Sequence, residues 1–203
     1  ADILKAFDLL GRPRFAFGVA SIFLYVGAEV AIGSVIVNYL MQPGTLGLSA
    51  VAAGKHVAFY WGGALLGRFV GSYVLEFVSP GKVLAVSALV AMGLLGVSAN
   101  SGGALSAWSL LAIGLFNSIM FPTIFSLASE GLGRRAADGS GLLCMAIVGG
   151  AVVPLITGRA ADLVGLKGAL TVPAICYLGI FSFGLFARRS AAPVASPPRV
   201  ATD

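Results

Sequence analysis

The 203-residue chain is 58% hydrophobic and 10% charged, against roughly 25% charged in an ordinary soluble domain, so a water-facing surface cannot be built from it. That excludes a soluble enzyme and points to an all-α integral membrane protein. The net charge of +5 comes without a clustered basic face or interleaved stacking aromatics, so nucleic acid is not an expected partner and contact with the lipid bilayer is.

The chain begins with a short mixed segment, residues 1–14, without an initiator methionine or a signal-peptide layout. It reads as a cytoplasmic linker cut from something longer. Arg12 and Arg14 flank a first apolar run, Phe15 to Leu40, which at about 1.5 Å per residue is ample to cross a hydrocarbon core of about 30 Å. A second run extends from Val51 or Val57 to Phe77, and Ser79-Pro80-Gly81-Lys82 closes it. The third runs from Val83 to Ala99, the fourth from Leu105 to Ser129, the fifth from Gly139 to Gly158 and the sixth from Ala169 to Ala187. Continuous runs of this length predict helices, since membrane strands alternate over about ten residues. The bundle therefore occupies 15–187, and the Pro-, Ala- and Ser-rich tail 188–203 is expected to be disordered.

Six spans place both termini on one side. That side receives Lys5, Arg12, Arg14, Lys82, Arg134, Arg135, Arg188, Arg189 and Arg199, while Lys55, Arg159 and Lys167 fall opposite. The bias puts both termini in the cytoplasm of a multi-pass cell (inner) membrane protein. Cys144 and Cys176 lie in apolar runs, offer no metal or disulfide spacing, and read as small core residues. Nothing in the motifs resembles a catalytic or metal centre: no nucleotide-binding loop, no nucleophile with a base, no paired acids at catalytic spacing.

The chain also repeats itself weakly. Gly67-Arg68 ends the second span and Gly158-Arg159 the fifth, 91 positions later; Glu29 in the first span has a polar counterpart in Asn117 of the fourth, 88 positions later. With three spans per half, the second copy is inverted relative to the first, a 3+3 inverted repeat of the kind found in secondary transporters.

Specific motifs carry a resemblance. Gly67-Arg68-Phe69-Val70-Gly71 followed by Ser79-Pro80-Gly81-Lys82 is similar to the loop signature of the major facilitator superfamily. Asn117 to Ala128 resembles the tenth span of the fucose:proton symporter and glucose/galactose transporter family, Tyr25-Val26-Gly27-Ala28-Glu29 its seventh, and Ile147 to Ala151 its eleventh. The family has twelve spans, so the six here resemble its C-terminal half, with an N-terminal six-helix half missing. The resemblance implies secondary active transport of a monosaccharide by alternating access, with no cofactor beyond a coupling ion, expected to be a proton. The family's main proton-coupling acids are implied to sit in the missing half. A half-length subunit or fragment that serves as an interaction or scaffold partner is the alternative.

Between Arg14 and Lys55 the one ionisable side chain other than tyrosine is Glu29. A carboxyl within a span is costly and defaults to function, here a sugar contact ahead of a proton carrier, with a structural interhelical role as the alternative. Tyr25, one turn before it, shares its face and can stack on a sugar, hold the carboxylate, or simply pack. Asn117 offers both donor and acceptor to a sugar hydroxyl, or else an interhelical bond. Phe121 lies one turn further on that face, and Pro122 loosens the helix there. Asn38 and Tyr39, near the outer end of the first span, form an outer gate or an interfacial anchor. His56 reads as a solvated helix end.

Arg68, about two turns inside the cytoplasmic end of the second span, is expected to pair with Glu130; by resemblance such a pair latches a cytoplasmic gate. Gly63, Gly67 and Gly71 recur every four residues and suit close helix packing. The first, second, fourth and fifth spans are expected to line the cavity, with the third and sixth facing lipid.

Overall fold

A computed structural model of the chain describes residues 6–188, and among these every regular element is helical. The expected disorder of the tail, together with Lys5, Arg189 and Arg199, lies outside the described residues. Eight α-helices follow a short 3-10 turn at Phe7–Gly11: α1 (Pro13–Met41), α2 (Ala50–Leu75), α3 (Pro80–Asn100), α4 (Gly103–Asn117), α5 (Met120–Ser129), α6 (Ala136–Met145), α7 (Gly149–Ala169) and α8 (Thr171–Ala187). Four stretches are long and apolar enough to cross a membrane: Pro13–Met41, Pro80–Asn100, Gly103–Ser129 and Gly133–Ala169. The 26-residue α2 carries Lys55, His56 and Arg68 within it, and α8 has 17 residues.

Two of the expected continuous runs are interrupted. The run from Leu105 to Ser129 breaks at Ser118 and Ile119 between α4 and α5, because Pro122 has no N–H to give the Ser118 carbonyl and its ring crowds that turn. The following stretch passes from α6 through a 3-10 turn at Ala146–Val148 into α7. Gly165, at φ 81°, then breaks α7 internally, a left-handed conformation that glycine adopts without steric cost. The turn after it leads into α8.

Helix α1 is the pillar of the bundle. Buried residues recur along its whole length, from Phe15 to Leu40, and it meets α5 at Gly18 against Ala128 and α7 at Gly27 against Val153. Against α4, α2 packs through the glycine stripe: a Cβ on Gly67 would fall 2.0 Å from the Leu115 carbonyl oxygen, and one on Gly114 2.0 Å from that of Tyr60. The expectation that Gly63, Gly67 and Gly71 serve packing therefore holds. Helices α3 and α8 cross at Gly81 and Gly184.

These crossings bring the loops to two ends. At one, Arg12 donates to the Gly131 carbonyl at 3.1 Å, Arg14 pairs with Glu130, and the main chain of Arg188 packs on Gly81. Within segment 6–14, Leu9 is fully buried. At the other end Gly103 donates to Gly44 at 3.0 Å and Lys167 donates to the Ser101 carbonyl.

Candidate functional site

Halfway along α1, Tyr25 and Glu29 stand one turn apart on the same face, as helical spacing requires. The Tyr25 hydroxyl lies 2.9 Å from Glu29 Oε1 and 3.0 Å from the main-chain oxygen of Asn117. That carbonyl closes α4 and belongs to the last turn, whose acceptors have no partner within the helix. The break at Ser118 and Ile119 thus supplies an acceptor that an uninterrupted helix would have consumed.

Glu29 is half-buried and opens, with Tyr25, Arg68, Phe121 and Pro122, onto a cleft of about 350 Å³. Three of the five expected substrate residues therefore converge: Glu29, Tyr25 and Phe121. Tyr25 and Phe121 face each other at 6.2 Å between ring centroids, tilted by 56°. The cleft combines a carboxyl, a guanidinium and two aromatic faces, the set of groups that grips a polyhydroxylated ring by hydrogen bonds at its edge and apolar contact on its face.

Asn117 is in a different setting. It is 1% exposed, and its side chain is held at both ends: Tyr177 donates to Oδ1 at 2.6 Å, and Nδ2 donates to the Tyr60 hydroxyl at 2.8 Å. Tyr60 in turn donates to the Glu29 main-chain oxygen at 3.3 Å. Because the one Tyr60 proton is used there, its hydroxyl can only accept from the amide, which sets Nδ2 toward Tyr60 and Oδ1 toward Tyr177. The geometry matches the interhelical-bond alternative, tying α1, α2, α4 and α8 together behind the cleft.

The remaining candidates disperse. Asn38 is exposed, nine residues beyond Glu29 and so about 13 Å away along the helix. Tyr39 is fully buried: its hydroxyl donates to the Ser98 carbonyl at 2.9 Å and accepts from Ser98 Oγ at 2.9 Å. His56 sits between Phe59 and Trp108, at 5.7 and 6.0 Å, on the first half of α2. Cys176 is buried as expected, but Cys144 is exposed, because it falls on the outer face of α6.

The expected Arg68–Glu130 pair does not form. Arg14 binds Glu130 and donates from Nε to the Leu127 carbonyl at 2.9 Å, which fixes Glu130 at the end of the bundle. Arg68 lines the Glu29 cleft instead, since α2 runs on for seven residues, about 10 Å, beyond it. The third and sixth spans each have an inner face as well, since α3 supplies Ser98 to Tyr39 and α8 supplies Tyr177 to Asn117, while Leu89 of α3 and Leu178 of α8 are exposed.

Tyr60 and Tyr177 are the residues that sequence reasoning missed. A signal existed for Tyr60, which stands three residues before Gly63 on the glycine face of α2 and so had to meet α4. For Tyr177 no local pattern tells that it reaches the same amide.

No family model matches the chain. It is 53% identical over 177 residues to the glucose/galactose transporter of Brucella abortus, covering 87% of this chain and 43% of that protein. To the L-fucose-proton symporter of Escherichia coli it is 37% identical over 188 residues, 90% of this chain and 42% of the relative. Among solved structures, the major facilitator superfamily transporter FucP in the outward conformation superposes with a TM-score of 0.86 at 34% identity, over 92% of this chain and 45% of that one.

The chain resembles the C-terminal half of a major facilitator superfamily sugar transporter. It spans less than half the length of these relatives, and it is a multi-pass membrane protein. These relatives are named as transporters, not enzymes.

Proposed function

We propose that this chain is one half of a secondary active transporter of monosaccharides of the glucose, galactose or fucose type, and that Glu29, Tyr25, Arg68 and Phe121 form its share of the sugar site. The convergence of these four side chains on one cleft carries the reading. A carboxyl and a guanidinium inside apolar helices are costly unless a ligand or partner uses them. The names of the relatives supply the substrate class, and a proton is the coupling ion proposed. Alternating access follows if a second six-helix half closes over the cleft from the open side.

In this reading the rods number six, with α4 and α5 forming one, α6 and α7 another, and the six make a 3+3 inverted repeat. Glycine contacts support the inversion. Gly27 of the first rod meets the fifth at Gly149 and Val153, and Gly114 of the fourth meets the second at Tyr60. Adding the sequence offsets of 88 and 91 to Gly27 and Tyr60 gives positions 115 and 151, one residue from Gly114 and midway between Gly149 and Val153, so the two contacts correspond within two residues when the halves are exchanged. The Gly67 and Gly158 motif does not extend the likeness, since Gly67 is tightly packed and Gly158 faces open space. Both termini lie on the cytoplasmic side of the inner membrane, at the end that gathers Arg12, Arg14, Lys82 and Arg188.

Uptake of radiolabelled glucose, galactose and fucose into proteoliposomes, down an imposed proton gradient, tests the proposal. Uptake is expected when the chain is joined to an N-terminal half of a relative. A chain that acts as a scaffold subunit gives none in either arrangement.

A further inference from the structure

A second groove lies away from the Glu29 cleft, on the side where α2 and α3 diverge. It measures about 530 Å³, with Val70 and Val74 of α2 and Val78 just beyond that helix forming one wall, Val83 and Val86 of α3 the other, and Phe116 of α4 the floor. Lys82 stands at one end and Gly67 at the other. We propose that this groove binds one acyl chain of an anionic phospholipid, whose headgroup is held by Lys82.

Three features select that occupant. The groove runs along α2 from Gly67 to Val74, seven residues, or about 10 Å of helix, and continues past the helix end to Val78. It therefore ends within a single leaflet, whose hydrocarbon depth is half of a core about 30 Å thick. A protein segment has no reason to stop at mid-membrane, whereas an acyl chain must. Apart from Ser87 the lining is apolar along this length, and the charged group at its end is a cation, Lys82. An ammonium at the membrane surface attracts an anionic headgroup, by about 1 kcal/mol per Lys.

Glu76, the nearby acid, follows the end of α2 and is exposed, and among the described residues no ion pair joins it to Lys82. The main chain of Arg188 packs on Gly81, so a second cationic residue belongs to the same end. Helix α3 also starts there, with the main-chain N–H groups of Lys82 and Val83 donating to the Ser79 carbonyl, so the headgroup contact falls to the Lys82 side chain. None of this depends on sugar transport, so the two proposals stand or fall separately.

The test is native mass spectrometry of the purified chain in detergent, titrated with phosphatidylglycerol or with phosphatidylcholine of the same acyl length. The wild-type chain is expected to retain one phosphatidylglycerol in preference to phosphatidylcholine. Lys82→Gln should lower phosphatidylglycerol retention about fivefold and leave phosphatidylcholine unchanged. Val74→Trp, which fills the groove without touching the charge, should release both lipids. Lys55→Gln, at the opposite end of α2, serves as the control and should change nothing. Equal losses for Lys55→Gln and Lys82→Gln, full retention by Val74→Trp, or dimers in place of lipid adducts would each overturn the assignment.

Discussion

Two polar regions share the Tyr25 hydroxyl and differ in what their groups still have to give. On the open side, Glu29, Arg68 and Phe121 line a cleft. On the closed side, Asn117, Tyr60 and Tyr177 are at most 1% exposed and satisfy one another. Both sets are polar or aromatic residues within apolar helices, and from sequence alone Glu29 and Asn117 receive the same reading as sugar contacts. The structure separates them by saturation: a buried amide with both ends bonded is spent on the fold, whereas a half-buried carboxyl beside a guanidinium can exchange its partner for a ligand.

The comparison breaks most sharply at Gly67. Replacement by Val places a Cβ within 2.0 Å of the Leu115 carbonyl, a main-chain atom that cannot step aside, so α2 must leave α4. The expected outcome is loss of the folded, monodisperse chain in size-exclusion chromatography in detergent. Gly158→Val, at the matching motif of the second half but in open space, should keep the wild-type elution profile.

Next in size is Asn117→Ala. It strands the Tyr177 hydroxyl without its acceptor and removes the donor to Tyr60, a cost of about 1–3 kcal/mol for each buried group left unpaired. A clear fall in thermal unfolding temperature in detergent is expected, larger than for Tyr25→Phe, which removes a hydroxyl and leaves the cage intact. If Tyr25→Phe destabilises as much as Asn117→Ala, the division into cage and cleft is wrong.

The smallest effects concern the charges. A double-mutant cycle on Arg14 and Glu130 should give a coupling of about 1 kcal/mol or less, as for a partly exposed ion pair. The corresponding cycle on Arg68 and Glu130 should give none in this conformation. Coupling between Arg68 and Glu130 in unfolding measurements would restore the pairing expected from the sequence.

The class of fold was legible because composition and run length are averages over many residues. Glu29 was legible because one carboxyl in forty apolar positions stands out, and Tyr25 and Phe121 followed from helical spacing. What could not be read were long-range pairings. Arg14 outcompeted Arg68 for Glu130 through the docking of α1 on α5, which no local pattern encodes. Asn117 was correctly singled out as unusual, but whether an amide points at a ligand or at two tyrosines depends on α2 and α8, residues 57 and 60 positions away along the chain. The break before Pro122 was foreshadowed by the proline itself, while its use of Tyr25 to satisfy the released carbonyl was not.

The most direct measurement of the central claim is the sugar affinity of Glu29→Gln, with this chain joined to an N-terminal half from a relative and binding followed by equilibrium dialysis or calorimetry. The substitution keeps shape and folding and removes the charged acceptor, so affinity for the transported sugar should fall at least about tenfold, the loss of a charge-assisted hydrogen bond, with the unfolding temperature unchanged. Unchanged affinity, or a loss of affinity that merely follows a loss of stability, would contradict the assignment of the cleft as a sugar site.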